Sequence, residues 1–213
     1  PLSSQEWERV FELYKNTPEY SFYNKGMLLS EFKFIFFWEY FHRLWGRIIG
    51  IVFIIPFIYF LVTKKINKFI TVRLLVILFF GSLQAFIGWW MVKSGLIDKP
   101  DVSQYRLAIH FGNSLLILFL LFWLILDLKY KKSRIKFDLN LIIFFIIFVT
   151  IIAGSLVAGM DAGLMYNTYP LMNDSFFPSD YLSLGLLDPF ENPGSAQFHH
   201  RHLGFISFCL LYT

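Results

Sequence analysis

The sequence predicts an all-α polytopic membrane protein built as a transmembrane four-helix-bundle repeat. Three observations carry that expectation. Hydrophobic residues make up 56% and aromatic residues 21% of the 213, and mean hydropathy is +0.56. Charged residues reach only 16%, where a soluble domain carries about a quarter. The apolar excess is also gathered into runs: Leu44–Val62, Leu74–Val92, Leu107–Leu126 and Leu139–Met160. Each is close to the roughly 20 residues that cross about 30 Å of hydrocarbon. A fifth run, Phe198–Thr213, brings the expected number of spanning helices in this chain to about five. The alternating segments of about 10 residues that mark a β-barrel are absent. Finally, the basic residues fall in alternate loops, as membrane topology requires.

That last pattern sets the orientation. Lys64, Lys65, Lys68 and Arg73 crowd the loop Thr63–Arg73, and Lys129, Lys131, Lys132, Arg134 and Lys136 crowd Asp127–Leu139. Lys93–Ser103 holds only Lys93 and Lys99, and Asp161–Gln197 has no Lys or Arg. The positive-inside rule places the two basic loops on the cytoplasmic (or matrix) side and the other two outside. The net charge of +4 is therefore a topology signal, and no nucleic-acid partner is expected. The N-terminus lacks the charged and apolar regions of a cleavable signal peptide. The sole cysteine, Cys209, lies in an apolar run and is read as a packing residue.

Along the chain, residues 1–37 read as an outer-side N-terminal segment. Within it Gln5–Lys15 has apolar residues at Trp7, Val10, Phe11 and Tyr14, the spacing of a short amphipathic helix. Thr17, Pro18, Asn24 and Gly26 are expected to break it, and Ser30–Glu31 to start the first spanning helix. Residues 38–126 are the transmembrane helices of an N-terminal half, with Pro56 inside the first. Residues 127–139 form the basic cytoplasmic loop. Residues 140–213 begin a C-terminal half. The outer loop from Asp161 to Gln197 is too long for a simple connector, and loops of that length are often functional.

The division into halves rests on an internal repeat. "EYFHRLWG" (39–46) aligns with "QFHHRHLG" (197–204) as aromatic-x-His-Arg-x-x-Gly, 158 residues apart. If both copies head similar halves, the chain lacks one helix before the first copy and more after the second, giving two four-helix halves in a complete protein.

All five histidines, His42, His110, His199, His200 and His202, lie near the expected outer ends of spanning helices. At 1.5 Å per residue, His42, His110 and His200 sit roughly 5–9 Å below the expected starts of their helices. Bundle interiors at such a depth hold metals or haems between facing helices. The plainer reading of a lone intramembrane histidine is a hydrogen bond to a neighbouring helix. Zinc is disfavoured, because there is no Cys cluster and no local His-x-x-x-His spacing. A haem needs only one or two imidazoles and suits aromatic walls. Arg43 and Arg201 each follow a repeated histidine, Arg47 is one turn deeper, and Arg106 is one turn above His110. Such guanidiniums either snorkel to headgroups or capture carboxylates such as haem propionates bidentately. Adjacent helical residues point about 100° apart, so His199 and His200 cannot both address one iron, and the repeat selects His200.

Glu39 stands three residues before His42, on roughly the same helix face. It can orient the imidazole, relay protons or act on a bound substrate. Equally, it can be an interfacial carboxylate paired with Arg43. The second copy has Gln197 instead, so the halves are expected to differ in chemistry.

These residues resemble the haem A synthase family, in the branch shared by mitochondria and alphaproteobacteria. "PEYSFYNKGMLLSEFKFIFFWEYFHRLWGR" (18–47) carries the resemblance most specifically. "GWWMVKSGL" (88–96), "SQYRLAIHFGNSLL" (103–116), "AGMDAGLMYNTYPLMND" (158–174) and "QFHHRHLGF" (197–205) follow in the family's order and spacing. The resemblance implies an eight-helix protein that oxidises the C8 methyl of haem O to a formyl group through successive hydroxylations, making haem A for cytochrome c oxidase. It implies that His42 and His110 are the paired histidines of the substrate-haem half and that Glu39 is the acid important for oxidation. His200 would hold an electron-relaying haem b whose second ligand lies beyond this chain. The doublet His199–His200 departs from the family, which usually has one His before Arg. The implied partners are haem O and haem A, the lipid bilayer, haem O synthase and an electron donor, with room for a homo-oligomer. The implied membrane is the bacterial inner membrane, or the mitochondrial inner membrane in a eukaryote, with the haem sites toward the periplasmic or intermembrane side. A partial chain of this kind is expected to be inactive alone. The rival reading is a di-haem b-type cytochrome that relays electrons without altering its haem. A transporter with inverted repeats is disfavoured, since both copies start on the outer side.

Overall fold

A computed structural model describes residues 1–95, 102–130 and 137–212. Lys99, Lys131, Lys132, Arg134 and Lys136, which set part of the charge pattern, lie outside the described residues, as does Thr213. Four described helices are long and apolar enough to cross a membrane: Leu29–Val62, Lys68–Lys93, Gln104–Tyr130 and Leu139–Gly159. The fifth apolar run forms the later part of a helix over Pro193–Leu211. The first half of that helix is polar, so it is not one of the four. The chain divides into two compact units, Pro1–Val102 with Ile117–Leu124, and Ser103–Leu116 with Ile125–Thr213.

In the first unit, α1 (Ser4–Lys15) starts with a capping box. The Ser3 hydroxyl accepts from the Glu6 N–H at 3.2 Å, and the Glu6 carboxylate accepts from the Leu2 N–H at 2.7 Å. The apolar face of α1 packs on aromatic rings at the head of α3. Phe11 lies 5.1 Å from Phe32, Tyr14 4.9 Å from Phe32, and Trp7 5.1 Å from Phe36. The expected break at Thr17–Pro18 is itself a helix start. Thr17 caps α2 (Pro18–Phe22), and Pro18 sits at the first helical position, where its missing N–H costs nothing.

α3 (Leu29–Val62) is 34 residues long, roughly 51 Å at 1.5 Å per residue. That exceeds about 30 Å of hydrocarbon by some four turns. The excess is the aromatic head on which α1 lies, and it moves His42 to about 20 Å from the start of its helix rather than about 6 Å. The helix runs through Pro56. Ile51, Val52, Ile55 and Ile58 are exposed, a surface that water does not tolerate and hydrocarbon does. α4 (Lys68–Gly95) follows and packs on α3.

The second unit contains the start of α5 (Gln104–Tyr130), α6 (Leu139–Gly159), α7 (Asp188–Glu191) and α8 (Pro193–Leu211). The main packing is α6 against α8. Asp138 caps α6 by accepting the Leu141 N–H at 3.2 Å. A Cβ at Gly159 would lie 2.5 Å from the Gln104 Cα, so only glycine lets the head of α5 cross the end of α6 at that closeness. Residues 160–192 form a folded cap with two short 3₁₀ turns, Ala162–Leu164 and Gly185–Leu187. Gln197, expected in the loop, belongs to α8.

Candidate functional site

The two copies of the repeated motif lie on α3 and α8. On α3, Glu39, His42, Arg43 and Arg47 are all exposed. One helical turn brings Arg43 Nη1 to donate to Glu39 Oε1 at 2.7 Å, with both side chains about half exposed. α1 adds a phenol to this neighbourhood. Tyr14 accepts from Asn24 Nδ2 at 2.6 Å, and burial first, then the Glu19 and Glu39 charges, push its pKa above the ordinary tyrosine value.

In the second unit, α5 carries Arg106 and His110, both half-buried. Its first residues are tied to the cap: the Tyr105 hydroxyl donates to the Glu191 carboxylate, and Gln104 Nε2 approaches Phe190 O and Glu191 Oε2 at 3.4 Å.

On α8 the three imidazoles divide by direction, as the 100° step requires. His199 faces Tyr181, its Nε2 3.5 Å from the phenol oxygen. His202 stacks on Phe198 at 4.1 Å, and its Nδ1 lies 2.8 Å from Phe198 O. His200 turns to α6, with Nδ1 3.1 Å from Thr150 O and Cε1 2.8 Å from where a Cβ of Gly154 would stand. Thr150 also accepts a bond from α8. Its hydroxyl donates to Ile146 O at 2.8 Å, so the Ser207 hydroxyl, 2.9 Å away, must be the donor to it.

The remaining polar groups at the head of α8 hold the cap. Gln197, only 3% exposed, accepts the Tyr166 N–H at 3.0 Å and donates to Gly163 O at 2.9 Å and Tyr166 O at 3.1 Å. Arg201 donates to Thr168 O at 2.8 Å and to Tyr166 O, with Met172 Sδ at 3.3 Å. Its guanidinium is thus engaged by loop carbonyls, a set of partners that sequence reasoning did not foresee. Nor did that reasoning single out Asp188, which is wholly buried. Its carboxylate accepts from the Leu182 N–H at 2.9 Å, the Leu184 N–H at 3.2 Å and the Ser195 hydroxyl. Burial works to raise its pKa, but these bonds and the Asn192 amide outweigh it and hold the carboxyl below the usual range. They also hold Leu182 at φ 64°, a left-handed conformation that a branched side chain rarely adopts. The signal for this knot was the Asp-Pro and Asn-Pro pairs at 188–189 and 192–193, two turn and cap signals in six residues.

Spanning helices that carry imidazoles, guanidiniums and carboxylates define a polytopic helical membrane protein whose polar chemistry is built into its helices. Ionisable groups so placed are costly and mark function. The chain belongs to the cytochrome oxidase assembly protein family, whose sequence model matches residues 1–213. It is 44% identical to the heme A synthase of Nitrosospira multiformis, covering 94% of this chain and 59% of that protein. With the heme A synthase of Wolbachia pipientis from Culex pipiens it shares 46% identity, over 97% of this chain and 65% of the relative. With that of Parvibaculum lavamentivorans it shares 42%, over 97% and 62%. The chain therefore spans 59–65% of the length of these curated relatives. No solved structure matches it.

Proposed function

We propose that this chain is the larger part of a haem A synthase, an oxidoreductase that converts the C8 methyl of haem O to a formyl group. The observation that carries the proposal is the unequal fate of one motif position. Glu39 is exposed near His42 and paired with Arg43, whereas Gln197 is buried and spent on loop backbone. One half keeps an acid available for chemistry and the other does not. The names of the relatives point the same way.

The donor set fits a haem. His200 Nδ1 faces a carbonyl oxygen, which can only accept, so Nδ1 carries the proton and Nε2 holds the lone pair that iron requires. His42 and His110 each supply an imidazole, and each stands 20 residues from the far end of its own helix, Val62 or Tyr130. That is about 30 Å, the hydrocarbon thickness. When bound, haem supplies the redox chemistry at iron. The residues bind and orient. Arg43, Arg47 and Arg106 are suited to neutralise propionates, while Arg201, with two loop carbonyls already on its guanidinium, holds the cap on α8. Glu39 would hold or move protons beside the methyl carbon, and Arg43 holds its carboxylate in place. His200 serves a haem b that relays the electrons, with an electron donor and haem O synthase as partners. The divisions at residues 37, 126 and 139 follow from this reading, as do a bacterial or mitochondrial inner-membrane location and haem sites on the outer side.

Chromatography of pigment from the purified full-length protein tests it. Haem A or hydroxylated haem O alongside haem b is expected. Haem b alone would leave an electron-transfer cytochrome.

A further inference from the structure

We infer that Thr150, Gly154 and Ser207 form a positioning device for His200, fixing which ring nitrogen faces the haem iron and how strongly it donates. The inference deepens the proposed function and rests on His200 being a haem ligand.

α6 presents Thr150 and Gly154 one turn apart, and α8 presents His200 and Ser207 two turns apart, so each pair shares one helix face. The two faces meet at two points. At one, the imidazole Nδ1–H donates to the Thr150 carbonyl at 3.1 Å. At the other, the buried Ser207 hydroxyl donates to the Thr150 hydroxyl at 2.9 Å. One residue of α6 thus receives both bonds from α8, which fixes the rotation of α8 about its axis as well as the ring. Gly154 makes the first bond possible. A methyl there would stand 2.8 Å from Cε1 and 3.3 Å from both ring nitrogens, closer than such contacts allow. The Cε1 side of the ring therefore sits against bare backbone, where a side chain at 154 would push it away from Thr150.

The chemical consequence is electronic as well as geometric. An imidazole that gives its Nδ1–H to a carbonyl is a more basic ligand through Nε2. A more basic ligand favours ferric over ferrous iron, so the bond to Thr150 holds the haem b potential down. Loss of this bond is expected to raise the midpoint potential even where the ligand itself is retained. A role limited to helix packing would lower stability and leave the potential of the correctly folded fraction unchanged.

The test uses full-length, haem-loaded protein and reads the low-spin haem b spectrum and its midpoint potential. Gly154→Ala is expected to shift the potential upward and perturb the low-spin signal. Ser207→Ala, which adds no atom and removes only the bond between hydroxyls, is expected to shift it in the same direction by less. Ser207→Thr, which keeps the hydroxyl, restores the wild-type value. If Gly154→Ala does not accumulate, the serine pair decides. His200→Ala is the control for the underlying reading. An unaltered haem b spectrum there would overturn His200 as ligand. Loss of the signal in His200→Ala, with potentials unchanged in Gly154→Ala or in Ser207→Ala, would overturn the positioning role alone.

Discussion

Glu39 and Gln197 occupy the same place in a repeated motif and live in opposite surroundings. Glu39 is about half exposed on α3 and holds one partner, an arginine one turn along. Gln197 is 3% exposed on α8, and three backbone groups of the cap engage its oxygen and both of its N–H donors. The following arginines diverge in the same way: Arg43 pairs with the acid, while Arg201 donates to carbonyls at Tyr166 and Thr168. An ion pair exposed to this degree contributes about 0–1 kcal/mol, so stability does not explain why Glu39 is there. A buried amide whose oxygen and both donors are taken up by backbone is mainly structural. The comparison teaches that one motif position can keep an accessible ionisable group at one copy and be taken up by architecture at the other.

The sharpest way to break that comparison is to attack the architecture of the second copy. Asp188→Ala strips a wholly buried carboxylate from two backbone N–H groups, a serine and an asparagine. It is expected to cost about 4 kcal/mol, read as thermal unfolding of the detergent-solubilised full-length protein, with earlier proteolysis between residues 160 and 192. A change under about 1 kcal/mol would mean that the knot does not hold the cap.

Gln197→Glu comes next. It sets a carboxylate against the Gly163 and Tyr166 carbonyls and is expected to cost about 3 kcal/mol, measured the same way. It is not expected to give the second half the role proposed for Glu39, because that position faces the cap. Unchanged stability would show that the amide bonds are dispensable.

Acid gives a smaller effect with a defined sign. The Asp188 carboxyl is held below its ordinary value, so its contribution to stability is complete above the unfolded pKa of about 3.9. It drains away as pH falls through the lower folded value. Pepsin cleavage within the cap should therefore rise only well below about pH 4, and Asp188→Asn should remove that pH dependence. Cleavage that tracks pH equally in both proteins would assign the effect elsewhere.

The smallest stability effect belongs to the first copy. Glu39→Gln removes the Arg43 ion pair and is expected to change unfolding by less than about 1 kcal/mol. A large destabilisation would make Glu39 a structural residue like Gln197 and would erase the contrast.

Much of this architecture was legible in the sequence. Runs such as Leu74–Val92 have one physical reading, and the helices Lys68–Gly95 and Leu139–Gly159 follow from it. The amphipathic spacing of Trp7, Val10, Phe11 and Tyr14 likewise specified α1. The start of α3 was legible as well, since Ser30–Glu31 was expected to open it and the helix begins at Leu29; the aromatic cluster that Phe32 and Phe36 build with α1 was not, because contacts between helices leave no spacing pattern. In the site, the histidines, Glu39 and the arginines stood out because ionisable groups are conspicuous in apolar runs. The bonds of Gln197 and Arg201 did not, since their acceptors are backbone carbonyls, which every residue has and no pattern marks. Thr150 and Gly154 were hidden for a related reason. A threonine and a glycine in an apolar helix are ordinary until the opposing helix shows an imidazole resting on them.

The central claim, that only the first copy keeps an acid for oxidising the haem methyl, meets its most direct test in one extraction. Pigment is taken from full-length Glu39→Gln protein and separated by chromatography beside the parent. The expected result is unchanged total haem, with haem O and haem b present and haem A gone. Haem A at the parental level would contradict the account.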